Sequence, residues 1–202
     1  MTKQLLFISC AIAFSGCSPY SRIPEVVPPS TAGTTAQDVT VCDLKEDPPK
    51  YNHKVVKVKG YFSRGFEVSA LYDPTCESDQ VIWVELGGKR SVDVMYCCGV
   101  VPKAERDEEL EVEGIELPLT EDDKFILYNK LLSEGENVKA TVIGTYFSGE
   151  RIEWPGRVGY GGFGHFGIGS LFIVQRVLST ERTSVKIGPY TPPDSETEAP
   201  IK

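Results

Sequence analysis

Three glycines raise the first chemical question. In "GYGGFGHFGIGS", residues 159–170, Gly159, Gly161 and Gly164 stand at G-x-G-x-x-G spacing. That pattern brings a backbone turn against the pyrophosphate of a dinucleotide. The chemistry needs a strand entering the glycines and a helix leaving them, because the helix N-terminus holds the phosphate. Here "RIEWPGRV" enters, with Pro155 and Gly156 forming a turn, and "SLFIVQRVLS" leaves with the alternation of a strand. The segment therefore reads as a loop between two strands, glycine-rich because it must turn tightly and pack closely. No cofactor is expected. Trp154, Tyr160, Phe163, His165 and Phe166 punctuate the same loop. Such rings either close one end of a β-structure or stack on a small ligand, a sugar or a peptide. His165 has no carboxylate or nucleophile placed beside it by the sequence, so it carries no catalytic assignment.

The other reactive candidates are thiols and acids. Cys97 and Cys98 in "MYCCGV" would support thiol–disulfide exchange, but they lack the C-x-x-C spacing of redox pairs. Bonded to each other they would close a strained, labile ring. "KAERDEELEVEGIE" places seven acids between Lys103 and Glu116. Calcium loops need oxygen ligands at set spacing around a sharp glycine turn, and this run reads as a solvated acidic face instead. No metal is expected. His53, in "YNHKV" just ahead of a strand, reads as a turn residue.

The elements that must position these residues lie between two unusual ends. "MTKQLLFISCAIAFSG" has a basic start, an apolar run from Leu5 to Phe14 and two small residues. The run is about half the roughly 20 residues a membrane span requires, so it reads as a secretory signal, residues 1–16. Residues 17–38 mix four prolines with Ser, Thr and Gly and read as a semi-extended tether. Residues 181–202 are polar and proline-bearing, and read as a disordered tail. The net charge of −8 argues against nucleic acid as a partner.

Between the ends, residues 39–180 hold enough chain for one domain with a real core. "KVVKVKGYFSRGFE", "VIWVEL", "NVKATVIGTYF" and "SLFIVQRVLS" alternate with period two, and "SALYDP" supplies a further short strand. In the first, Val56, Val58, Gly60 and Phe62 share a face; in the last, Phe172, Val174 and Leu178 oppose Leu171, Ile173 and Val177. Gly60 and Gly144 are expected where strands bend sharply. "LTEDDKFILYNKLLSEGE" predicts a helix capped by Thr120, with Phe125, Tyr128 and Leu132 on one stripe and a stop at Gly135. "VTVCDLKEDPPKYN" allows a short helical turn before Pro48. The order is three strands, an insertion (87–136) with a helix, then two strands. That is mainly β, the order of a five-stranded OB-like Greek-key barrel; a small sandwich of the same strands is the alternative.

Two resemblances add to this reading. Phe14-Ser15-Gly16-Cys17 resembles a bacterial lipobox. That resemblance implies cleavage before Cys17, a diacylglyceryl thioether and a fatty amide on it, and, with Ser18 following, an address at the outer membrane. Several acyl chains anchor stably where one does not. An ordinary secretory signal with an incidental cysteine is the alternative, and Cys10 is a poorer lipidation site. "VCDLKEDPPKYNHKVVKVKGYFSRGFE", "SALYDPTC", "VIWVEL" and "GFGHFGIGSLFIVQRV" together resemble bacterial envelope lipoproteins with an OB-like domain. The likeness covers about half the chain and omits Gly87 to Pro118; it implies a fold and an address, and no reaction. With Cys10 removed and Cys17 acylated, Cys42, Cys76, Cys97 and Cys98 remain, and three pairings are open. Cys42 and Cys76 both lie in the family-like region and flank the first strands, which favours them as one bridge. The functional expectation is a lipid-anchored binding or scaffolding module for an envelope protein, glycan or peptide, without catalysis. The alternatives are a redox protein using Cys97 and Cys98, and small-ligand binding at the 154–166 loop.

Overall fold

The computed structural model describes residues 36–94, 103–154 and 157–185, without the side chains of residues 154 and 157. In chain order they form β1 (Gln37–Val39), α1 (Val41–Glu46), α2 (Pro48–Tyr51), β2 (Lys54–Gly65), β3 (Val68–Tyr72) and β4 (Val81–Leu86). Then follow β5 (Glu111–Val112), β6 (Ile115–Glu116), α3 (Asp123–Ser133), β7 (Val138–Phe147), β8 (Glu150–Trp154), β9 (Arg157–Gly161) and β10 (Gly169–Arg182). A 3₁₀ turn, His165–Gly167, precedes β10.

The five main strands close on themselves in the order β2-β3-β4-β10-β7, with β7 returning to β2. Four of the pairings are antiparallel, and β4 with β10 is parallel. Parallel neighbours need a long crossover, and here the chain between them supplies α3 and β7. This is an OB-like barrel, as the strand order predicts. Val56, Val58 and Phe62 of β2, Leu71, Ile82, Val84, Val142 and Phe172 fill its interior.

Gly60 and Gly144 sit where neighbouring chains come close. A Cβ on Gly144 would stand 2.0 Å from the Ile173 carbonyl oxygen and 2.7 Å from the Phe172 ring; one on Gly60 would meet Leu71 at 2.5 Å. Helix α3 covers part of the core with Phe125, Tyr128, Leu131 and Leu132, and Phe62 meets Tyr128 edge-on at 5.4 Å.

Several expectations are corrected. Asp122, not Thr120, caps α3, its carboxylate accepting from the Lys124 and Phe125 N–H groups. The Thr120 N–H is spent on the Gln175 carbonyl, which ties that residue to β10. Strand β10 breaks its alternation at register shifts between Val174 and Arg176 and between Val177 and Ser179. Val177 thereby joins Phe172 and Val174 in full burial while Leu178 is only half-buried. The tether's expected end is too late, because Gln37 and Asp38 already pair with β2. The expected tail begins too early, because Glu181 and Arg182 still pair with β7. The loop before β10 contains a hairpin, β8–β9, which the sequence reading leaves as loop. The short helical turn before Pro48 is α1, closed by a capping box between Thr40 and Asp43, and a second turn, α2, starts at Pro48 itself.

Candidate functional site

The glycine segment begins inside β9 and, after the single 3₁₀ turn at His165–Gly167, leads into β10, so no α-helix leaves it. Gly159 and Gly161 are ladder positions opposite Ile152 and Glu150. Gly164 has φ +72°, and a Cβ there would stand 2.5 Å from the Trp83 ring. The third glycine of the pattern is thus fixed by a left-handed turn pressed against an indole, which accounts for it without a phosphate. Gln80, at the foot of β4, clamps the hairpin: its amide donates to the Tyr160 carbonyl at 2.7 Å and accepts the Tyr160 N–H at 3.0 Å.

The rings of this loop divide by environment. Phe163 packs against the core with its centroid 6.3 Å from that of Phe147. Tyr160 is half-buried under the Gln80 clamp, and Trp154 is the β8 residue opposite Arg157. Phe166 is 72% exposed and has φ +57°, a backbone region that bulky residues rarely occupy. Beside it, His165 meets the Phe166 ring edge-on at 3.9 Å and approaches the Glu67 carboxylate at 3.8 Å. Glu67 lies in the β2–β3 turn, also at positive φ (+59°), next to Phe66, which is 75% exposed. Two turns about 100 positions apart in sequence therefore meet, each presenting an uncovered phenylalanine. In OB-like barrels the loops at these two places border the ligand face. Outliers held by surrounding structure cluster at binding sites. The sequence reading identifies His165 and Phe166 and misses Phe66 and Glu67, which carry no local signal.

The acidic insertion is not only a solvated face. Its Arg106 reaches back to the barrel and pairs with Glu85 of β4 at 3.1 Å. Arg106 Nη1 also donates to the carbonyls of Leu86 (3.1 Å), Gly88 (3.5 Å) and Arg90. Glu85 accepts the N–H groups of Leu86 and Val92, both at 2.8 Å. Burial pushes the Glu85 carboxyl above the usual carboxylate range, and the Leu86 N–H, the Arg106 charge and the Val92 N–H oppose that shift. A second contact joins the β5–β6 turn to the barrel: His53 Nε2 lies 2.5 Å from Glu113, both residues at positive φ. Val92, Val94, Ile115 and Leu117 of the insertion are buried in the common core. Glu85, Trp83, Phe163 and Arg106 line a concavity of about 440 Å³ between insertion and barrel.

Cys42 and Cys76 are bonded, with Cα atoms 5.3 Å apart, joining α1 to the β3–β4 connection. Cys17, Cys97 and Cys98 lie outside the described residues, as do the signal, most of the tether and most of the tail. Among the described residues no helix is long and apolar enough to cross a membrane, and no group of three or more His, Cys, Asp or Glu is placed to hold a metal ion. No family model, curated protein or solved structure matches this chain.

Proposed function

We propose that this chain is a lipid-anchored protein of the bacterial outer membrane whose OB-like barrel is a binding or scaffolding module. It engages an envelope component, a protein, glycan or peptide, through the edge formed by Phe66 and Phe166. The observation that carries the binding half is that two exposed phenylalanines stand on turns that approach each other through Glu67 and His165. Uncovered aromatic side chains on rigid turns are the kind of anchor that dominates binding energy once desolvated. The address rests on the lipobox-like Phe14-Ser15-Gly16-Cys17 and the proline-bearing segment after it. No bond is made or broken in this reading. The thiol–disulfide alternative depends on Cys97 and Cys98 alone, and the small-ligand alternative on the same loop edge.

One comparison in cells tests both halves. Cys17→Ser is expected to leave the membrane fraction or to keep its signal uncleaved. Phe66→Ala/Phe166→Ala is expected to stay membrane-bound and to melt close to the wild-type temperature, because both rings are largely exposed, while recovering much less of the envelope partner. A processed Cys17→Ser chain still on the membrane would remove the anchor, and undiminished recovery by the double variant would remove the loop edge.

A further inference from the structure

The concavity of about 440 Å³ between insertion and barrel is built from separate stretches of chain. Its floor is a face of two paired strands: Trp83 of β4 stands opposite Leu171 of β10, and Glu85 opposite Ile173, in parallel register. Alternate residues of a strand share a face, so these four side chains lie on one surface, turned away from the interior that Ile82, Val84 and Phe172 fill. One wall is Leu110 and Val112 of the insertion, held by the Leu110 N–H donating to the Gly88 carbonyl at 2.9 Å. The other is Gly162, Phe163 and Gly164, held by Phe163 and Gly169 exchanging backbone hydrogen bonds, both of 3.1 Å. Leu110, Val112 and Phe163 are only partly buried although each packs against the core. An occupant that covers them removes apolar surface from water, and the volume is that of a small-molecule pocket.

The polar groups of the lining are few and mostly committed. Arg106 donates to Glu85 and to three carbonyls. Glu85 spends Oε1 on the Leu86 and Val92 N–H groups and on Arg106. None of these contacts uses Oε2, and an ionised carboxylate accepts about four hydrogen bonds in all. Ser91 Oγ accepts the Asp93 N–H at 3.3 Å and keeps its own O–H to donate. Charge narrows the choice. The carboxylate and the guanidinium of the lining are already paired at 3.1 Å. Behind it, Glu85 and Asp93 both act on Arg64, which adds one charge of each sign. An ammonium ligand would bring a further cation beside Arg106, and a carboxylate a further anion beside Glu85. A sugar would bring several hydroxyls to a lining whose donors are spent.

We propose that this concavity binds a small uncharged aromatic molecule with one hydrogen-bond donor, a phenol or its like, its ring against Trp83, Phe163 and the Leu110–Val112 wall and its donor on Glu85 Oε2. Rings that meet Trp and Phe side chains gain offset or edge-on contacts beyond the area they bury. The site shares no residue with the Phe66–Phe166 edge and does not rest on the role proposed for it.

The test titrates the full chain, with Cys17→Ser to keep acyl groups off the protein, against four naphthalene probes by calorimetry near neutral pH. Naphthol, uncharged and with one donor, is expected to bind saturably at one site. Methoxynaphthalene keeps the rings and lacks the donor, and is expected to bind at least about tenfold more weakly. Naphthoate and protonated naphthylmethylamine keep the rings and add a charge of either sign, and are expected to be weaker than naphthol by a similar factor. Val112→Phe fills the concavity from its wall and is expected to weaken naphthol at least about tenfold. Leu110→Phe fills it from the same wall, so either variant that melts close to the wild type serves. Absence of saturable naphthol binding, or equal affinity for methoxynaphthalene, would overturn the proposal. So would tighter binding of either charged probe, or unchanged naphthol affinity in a folded Val112→Phe or Leu110→Phe protein.

Discussion

Arg106→Ala is expected to lower unfolding stability by about 3–5 kcal/mol near neutral pH, because it strands a buried carboxylate. Glu85 keeps two backbone N–H donors in the variant but loses the Arg106 guanidinium. Three carbonyl oxygens, of Leu86, Gly88 and Arg90, lose the same guanidinium donor. The pH dependence fixes the cause. The folded-state pKa of Glu85 is raised, so its contribution to stability is fully present below the ordinary carboxylate pKa and is lost as pH rises through the folded value. Arg106 offsets that loss while Glu85 is ionised. Without Arg106 the folded pKa climbs further, and the variant's deficit should be largest near pH 7 and shrink toward about pH 4–5. Urea unfolding of both proteins across that range measures it. A deficit that is constant with pH would mean that the carbonyl contacts, not the ion pair, hold the insertion to the barrel.

Removing the bridge, by Cys42→Ser with Cys76→Ser, should cost a similar amount for a different reason. The bond closes a loop with a sequence separation of 34, which in the chain-entropy account restricts the unfolded state by about 4 kcal/mol. For a domain of this size that corresponds to roughly 8–16 °C in melting temperature. The loss should also be local. Helix α1 packs Val41 and Leu44 into the core, and Tyr146 donates to the Leu44 carbonyl at 3.0 Å. Those contacts survive the substitution, so amide exchange should accelerate first in α1 and in the connection from Asp73 to Gln80. Calorimetry with and without reductant checks the first expectation and exchange mapping the second. Equal melting temperatures in the bonded and substituted proteins would contradict the structural role given to the bridge.

The barrel strands were legible because burial on one face writes itself as period two, as in Val56, Val58 and Phe62. Gly60 and Gly144 were legible as places where strand geometry changes, and the structure gives the reason as close approach of a neighbour. Where a rule acts over a few residues it can be overridden by one contact elsewhere. The Thr120 N–H goes to Gln175, and the cap passes to Asp122; bulges in β10 move Val177 inward. The site was harder to see for the same reason. Glu85 on an alternating strand reads as solvent-facing until Arg106, 21 positions on, is known to cover it. Gln80 reads as a loop residue until the Tyr160 backbone, 80 positions on, is placed beside it. Phe66 is one aromatic in a turn until its neighbour Glu67 is found beside His165, next to Phe166. The G-x-G-x-x-G spacing was visible at once and pointed elsewhere, since its last glycine answers to Trp83.

The binding role of the Phe66–Phe166 edge is tested most directly by in-cell photocrosslinking. A photoreactive residue at position 166 or 66 is expected to trap one envelope partner, and the same residue at the exposed position 134, after α3, is expected to trap none. Equal trapping at all three positions, or trapping at 134 alone, would contradict a binding edge built from these two turns.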